Sequence, residues 1–203
     1  MLKKFVQSNP IVVVMSGPSG VGKDATLEKI KEKGVGFHYV VTATTRDQRP
    51  GEINGRDYYF LTTSEFQKKI KRNEFLEYAE VYGNYYGVLI NEVQEALNKG
   101  QDVILKVDVQ GSLTLKRKIP DAVFIFLLPS SIDDLVRRLK KRNSDSQEAL
   151  KRRVNEAEEE IKSISAFDYA VVNYEDDLDR TAETVRSIVV AERCRVKQRK
   201  INI

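Results

Sequence analysis

The chain is poor in the residues that staple, chelate or span. Its 203 residues hold one cysteine, Cys194, and one histidine, His38. A lone thiol closes no intrachain disulfide, which excludes a bridge-stapled secreted design and suits a reducing compartment. One histidine leaves too few soft ligands for a zinc site, and packing in a small lobe is its expected role. No apolar run approaches the roughly 18 residues of a membrane span. The ten residues before the first apolar run, MLKKFVQSNP, are too few for a signal or transit peptide. A cytoplasmic protein without a membrane partner is the expectation. Charge of one sign is lacking too: 34 Lys and Arg against 30 Asp and Glu leave +4. That suits a small anionic ligand and falls short of a nucleic-acid footprint.

What is present is a soluble, globular composition, 41% hydrophobic and 32% charged, of a length that fits one compact domain with sub-lobes. Its organising stretch is GPSGVGKD at 17–24, directly after the apolar run Ile11 to Met15. A buried strand runs into a glycine-rich turn that opens a helix. Gly17, Gly20 and Gly22 allow successive N–H groups to converge on an anion. Lys23 adds a mobile positive charge for the outer phosphates of a nucleotide. A hydroxyl residue normally follows that lysine, but here Asp24 does. A carboxylate is also a hard oxygen ligand for magnesium, yet facing phosphates without a nearby cation it would repel them.

Beyond the first helix, ending at Gly34, short alternating segments such as FHYVVTATTR and DYYFLT predict a small, largely antiparallel lobe. It spans 36–88 and contains one helix near Ser64 to Lys71, capped by Ser64. A helix at Ile90 to Asn98 and a strand at Asp102 to Val107 resume the alternation. AVFIFLLP is apolar on both faces, as in an interior parallel strand. A helix at Ser131 to Arg142, a polar break at Asn143 to Ser146 and a charged helical stretch to Ile164 follow, with a lid at 141–165. A strand at Tyr169 to Asn173 and a helix to Arg195 close the chain. The expected fold is α/β and doubly wound, with a core at 1–35, 89–140 and 166–203 and ligands beyond the carboxyl ends of its strands.

In TATTRDQRPGEINGRDYYF, at 42–60, Arg46 and Arg49 flank a turn and Tyr58 follows. Two guanidinium forks and a phenol suit a phosphate monoester. For either arginine alone a solvated hairpin would be the better reading. Beside a separate phosphate cradle, the pair suggests transfer between two sites.

These segments, with NEFLE, GNYYG, DVQG, RRLKKR and VVN, resemble the guanylate kinases over nearly the full chain. The resemblance implies a P-loop kinase fold with an inserted GMP-binding lobe and a helical lid, moving the γ-phosphoryl of MgATP to GMP or dGMP. By matching positions, ATP meets Gly17, Pro18, Ser19, Gly20, Val21, Gly22, Lys23, Asp24 and Asn173. GMP meets Thr42, Arg46, Arg49, Tyr58, Glu77, Tyr86 and Asp108. Lys23, Arg46, Arg142 and Arg153 carry the catalysis, Arg138 is a further flap candidate, and Asp24 and Asp108 are the magnesium candidates. Glu77 would read guanine, because a carboxylate accepts from both N1–H and the 2-amino group, donors that adenine lacks on that edge. No nucleic-acid partner is implied, and monomer and homodimer stay open.

Two departures from the family matter. Val88 stands where a hydroxyl residue commonly bonds guanine O6, so base selection leans on Glu77 and Asp108. Lys106 stands where the family usually has an acid, and period-two alternation puts it on the same face as Asp108. Lys106 either pairs with Asp24 or contacts phosphate or solvent alone. Alternative functions are a kinase for another small phosphorylated acceptor and a non-catalytic, guanylate-kinase-like module that binds phosphoproteins. The basic tail RCRVKQRK reads as a solvated helix end.

Overall fold

The computed structural model describes residues 9–81, 83–142, 147–174 and 176–203, without the side chains at 141, 142 and 149. The polar break at Asn143 to Ser146 lies outside the described residues. The centre is β1 (Val12–Ser16), whose five residues are all buried. It pairs in parallel with β7 (Asp102–Lys106) on one side and β8 (Val123–Pro129) on the other. β2 (Phe37–Tyr39) flanks β7 and β9 (Tyr169–Asn173) flanks β8, giving the all-parallel order β2-β7-β1-β8-β9.

Helices cover both faces, which is why these strands are apolar on both sides. Ile30 of α1 (Lys23–Glu32) and Val185 and Val189 of α7 (Leu178–Arg193) pack with Val13, Met15 and Ile125. Val93 of α3 (Ile90–Asn98) and Leu115 of α4 (Val109–Lys118) pack with Val12, Val14 and Leu105.

The second sheet has the order β4-β3-β6-β5, formed by β3 (Ala43–Thr44), β4 (Tyr59–Phe60), β5 (Phe75–Val81) and β6 (Asn84–Leu89). It is mixed, since β3 pairs β4 in parallel and β6 antiparallel. This sheet begins at Ala43 and not near Gly36. β2, with Phe37 in the main core, belongs to the parallel sheet. His38 therefore lies on the main sheet, where its Nε2 is 3.0 Å from a Glu92 carboxylate oxygen.

The lobe's helix, α2 (Thr63–Lys71), is capped by Thr62 and not by Ser64. The Thr62 hydroxyl accepts from the Glu65 N–H while Glu65 accepts from the Thr62 N–H, a reciprocal capping box. Phe66 of α2 stacks on Phe75 and Tyr85, with ring centroids 4.3 and 5.3 Å away.

α5 (Ile132–Arg142) and α6 (Gln147–Ile161) are followed by a 3₁₀ turn at Lys162–Ala166. Leu135, Leu139 and Ala157 form a small core between the two helices. The basic tail is exposed from Arg193 to Lys197, as expected of a solvated helix end, but the chain beyond it is fastened to the fold. Arg199 is 13% exposed and pairs with the buried Glu192 at 2.8 Å, while Ile201 and Ile203 pack on the core.

Candidate active site

The turn between β1 and α1 has the backbone its glycines foretell. Gly17 has φ +145°, and a Cβ there would stand 2.4 Å from the Leu127 carbonyl oxygen. Gly22, at φ +100°, is the N-cap of α1, and a Cβ would meet the Asn173 amide at 2.5 Å. Neither position accepts a side chain. Lys23 folds back over the turn, donating from Nζ to the Gly17 carbonyl at 2.5 Å. Burial lowers its pKa, opposed by the charges of Glu160, Asp24 and Asp108.

Behind the turn stands a support that sequence reasoning placed elsewhere. Arg138 is buried, donates to the Val21 carbonyl at 2.8 Å and to the Asn173 carbonyl at 3.0 Å, and pairs with Asp134 at 2.7 Å. It is a strut beneath the turn, not a flap arginine. The Asn173 amide donates to the same Val21 carbonyl at 2.7 Å, and the residue is 1% exposed. Its buried position is behind the turn. The lid meets the front: Arg153 donates to the Ser19 hydroxyl at 3.2 Å, and Glu160 accepts from the Ser19 N–H at 3.2 Å. Arg142 ends α5, and its side chain lies outside the described residues.

Across the crevice lies a charged pocket of about 380 Å³, lined by Arg46, Arg49, Tyr58 and Tyr86 and, from the main domain, by Asp24 and Lys106 among others. Glu52 organises it. One carboxylate oxygen accepts from Arg46 Nη2 at 2.8 Å, and the other from the Arg49 N–H at 2.7 Å. The bond to Glu52 chiefly raises the Arg46 pKa, so that guanidinium stays charged. Arg46 also lies 5.4 Å from the centroid of the Tyr58 ring. Glu52 was in the quoted motif without a role; its position three residues after Arg49, beyond Pro50-Gly51, was the available signal.

Next to this pocket is a second of about 180 Å³, which shares Thr42, Tyr58, Tyr86 and Lys106 and adds Lys23, Glu77 and Asp108. Glu77 is 5% exposed, and burial, with the Asp108 charge, raises its pKa to about 8. Asp108 N-caps α4, accepting from the Gly111 N–H at 2.6 Å. A Cβ on Gly111 would stand 2.6 Å from a Glu77 oxygen, so this glycine leaves room for the carboxylate. Val88 pairs with Glu77 across the sheet but lies 1% exposed in the main core, among Leu76 and Val93.

Lys106 and Asp24 do pair, with Nζ 2.5 Å from Oδ1. The cation that Asp24 required is therefore supplied from the end of β7. Among the described residues no group of three or more His, Cys, Asp or Glu could hold a metal ion.

A parallel sheet whose first strand runs into this glycine turn, in the fold of a solved guanylate kinase, places the molecule among the P-loop kinases. The comparisons narrow that class. The family model described as guanylate kinase matches residues 8–192, and the chain belongs to the guanylate kinase family. A guanylate kinase of Lactococcus lactis is 48% identical over 186 residues, covering 92% of this chain and 90% of its own. Guanylate kinase 2, chloroplastic/mitochondrial, of Oryza sativa is 46% identical over 195 residues, covering 96% of this chain and 68% of its own. The crystal structure of guanylate kinase from Anaplasma phagocytophilum superposes with a TM-score of 0.75 at 32% identity. It covers 94% of this chain and 89% of that one. Among the described residues no helix is long and apolar enough to cross a membrane.

Proposed function

We propose that the chain transfers the γ-phosphoryl of ATP to GMP, giving ADP and GDP, in purine nucleotide metabolism. The observation that carries this is the sharing of Thr42, Tyr58, Tyr86 and Lys106 between two adjoining cavities. One is walled by Arg46 and Arg49, the other by Lys23 and Glu77. The acceptor phosphate would lie on the arginines and the guanine edge on Glu77. The ATP phosphates would lie on the turn from Gly17 to Asp24. The lone exposed thiol, Cys194, suits a reducing compartment such as the cytoplasm.

An oxygen of the acceptor phosphate attacks the γ-phosphorus. That bond forms as the bond to the bridging oxygen breaks, and the electron pair leaves with the β-phosphate of ADP. The attacking oxygen is already anionic near neutral pH, so no strong base is needed, and positioning with charge neutralisation does the work. Arg46 holds the acceptor, and Lys23 neutralises the donor phosphates. Arg153, already bonded to Ser19, brings lid charge to the transferred group, and the lid and lobe exclude water. Magnesium, when bound, would neutralise charge on the β- and γ-phosphates. Asp108 and Asp24 fit it only as a partial set, with nucleotide oxygens and water supplying the rest.

Supply of ATP and magnesium with GMP, dGMP, AMP or UMP tests this, with GDP or dGDP as the expected products. Preference for AMP would overturn the guanine assignment. Tight phosphopeptide binding without turnover would favour a non-catalytic module, a reading against which the curated guanylate kinase relatives weigh.

A further inference from the structure

Lys106 ends β7 at the carboxyl edge of the parallel sheet, facing the crevice. It is in the lining of both adjoining cavities, the arginine pocket and the Glu77 pocket. Its ammonium is 5.5 Å from the centroid of the Tyr58 ring, and the Arg46 guanidinium is 5.4 Å from the same centroid. Two cations are thus gathered on one phenol, one braced by Asp24 and the other by Glu52. The Asp24 side chain is 61% exposed while that of Lys106 is 26% exposed. Ion pairs with such an open partner contribute little to stability. The arrangement therefore makes more sense as a holder of charge in the crevice than as a clamp on the fold.

We infer that Lys106 binds the acceptor phosphate beside Arg46, and that Asp24 is the positioning residue that keeps the Lys106 ammonium aimed into the crevice. The inference rests on the GMP reading above and adds a substrate-contacting residue to it. A cation at this point lines both the cavity that holds Arg46 and Arg49 and the cavity that holds Lys23. It would lower the repulsion between the incoming acceptor dianion and the donor phosphates.

Calorimetric titration with GMP and with guanosine, which lacks the phosphate, tests the inference on the wild type, Lys106→Met, Lys106→Arg and Asp24→Asn. Lys106→Met is expected to weaken GMP about ten- to hundredfold and to leave guanosine unchanged. Lys106→Arg, which restores the charge, is expected to bind GMP within about threefold of wild type. Asp24→Asn should weaken GMP by less than Lys106→Met, because the ammonium remains but is no longer braced. In steady-state assays of the methionine variant, the KM for GMP should rise while that for ATP stays put. Lys106→Met binding GMP as wild type does would overturn the inference. Equal losses for GMP and guanosine would overturn it too, since they would signal a packing defect. A wild-type chain with no preference for GMP over guanosine would remove the underlying GMP reading itself.

Discussion

Glu160 of the lid helix accepts a hydrogen bond from the Ser19 main-chain N–H at 3.2 Å, so a carboxylate occupies a donor of the phosphate turn. Seven residues earlier on the same helix, Arg153 donates to the Ser19 hydroxyl. Two helical turns separate the pair, which places both on one face of α6. A lid anion and a lid cation therefore meet the turn at the same residue. Burial raises the Glu160 pKa, opposed by the Ser19 bond and the Lys23 charge.

In the proposed reaction the nucleotide's phosphates call on the same donor and the same lysine as the Glu160 carboxylate. Glu160→Gln removes a negative charge there and is expected to tighten ATP about three- to tenfold in the absence of GMP. Equilibrium titration with a fluorescent ATP analogue measures it. Weaker ATP binding would show that Glu160 braces the turn and does not compete.

In the proposed reaction, Arg46→Ala and Arg153→Ala take away charge that faces the transferred phosphoryl. Each is expected to lower kcat about a hundredfold or more with the thermal transition retained. Turnover near the wild-type rate in either variant would remove that arginine from the chemistry.

Arg138 makes three contacts from one fork: the Asp134 carboxylate and the carbonyls of Val21 and Asn173. Arg138→Ala leaves the buried Asp134 without this partner and is expected to destabilise the fold by about 3–5 kcal/mol. Lysine offers no such fork, so Arg138→Lys should recover little of that loss. Urea unfolding followed by circular dichroism checks both variants.

Glu77 gives the site a pH signature. Its folded pKa of about 8 lies above that of an unfolded glutamate, so the neutral form is favoured in the fold. Its contribution to stability is complete below the unfolded pKa of about 4.3, and is lost as pH rises through about 8. Guanine's two donors require the ionised form. Binding of GMP near pH 7 should therefore release close to one proton, and affinity should rise from pH 6 to 8. Calorimetry in buffers of different ionisation enthalpy measures the release, and Glu77→Gln should abolish both effects. A proton count unaffected by that substitution would move the titration to another group.

Sequence signals and structure agree most closely where the cause is local. GPSGVGKD has the positive φ angles that only glycine takes readily, and α3 and β9 run from Ile90 to Asn98 and from Tyr169 to Asn173 as expected. The Asp24–Lys106 pair was legible as well, because one unbalanced carboxylate and one misplaced cation pointed to each other. Propensity and period failed where partners come from afar. FHY alternates equally well in either sheet, and only its pairing with β7 assigns it.

By itself the sequence determined the glycine turn, the alternation of strands and helices, and the set of candidate phosphate-binding side chains. Each of these follows from backbone freedom, hydrophobic period or the chemistry of one residue type. Tertiary structure alone decided that Arg138 and Asn173 stand behind the turn, that Glu160 faces Ser19, that Val88 is in the core and that the tail is fastened by Arg199. Burial and partner choice depend on groups tens of residues apart along the chain. Once packed, the low dielectric of the interior turns those contacts into shifted pKa values and fixed charges.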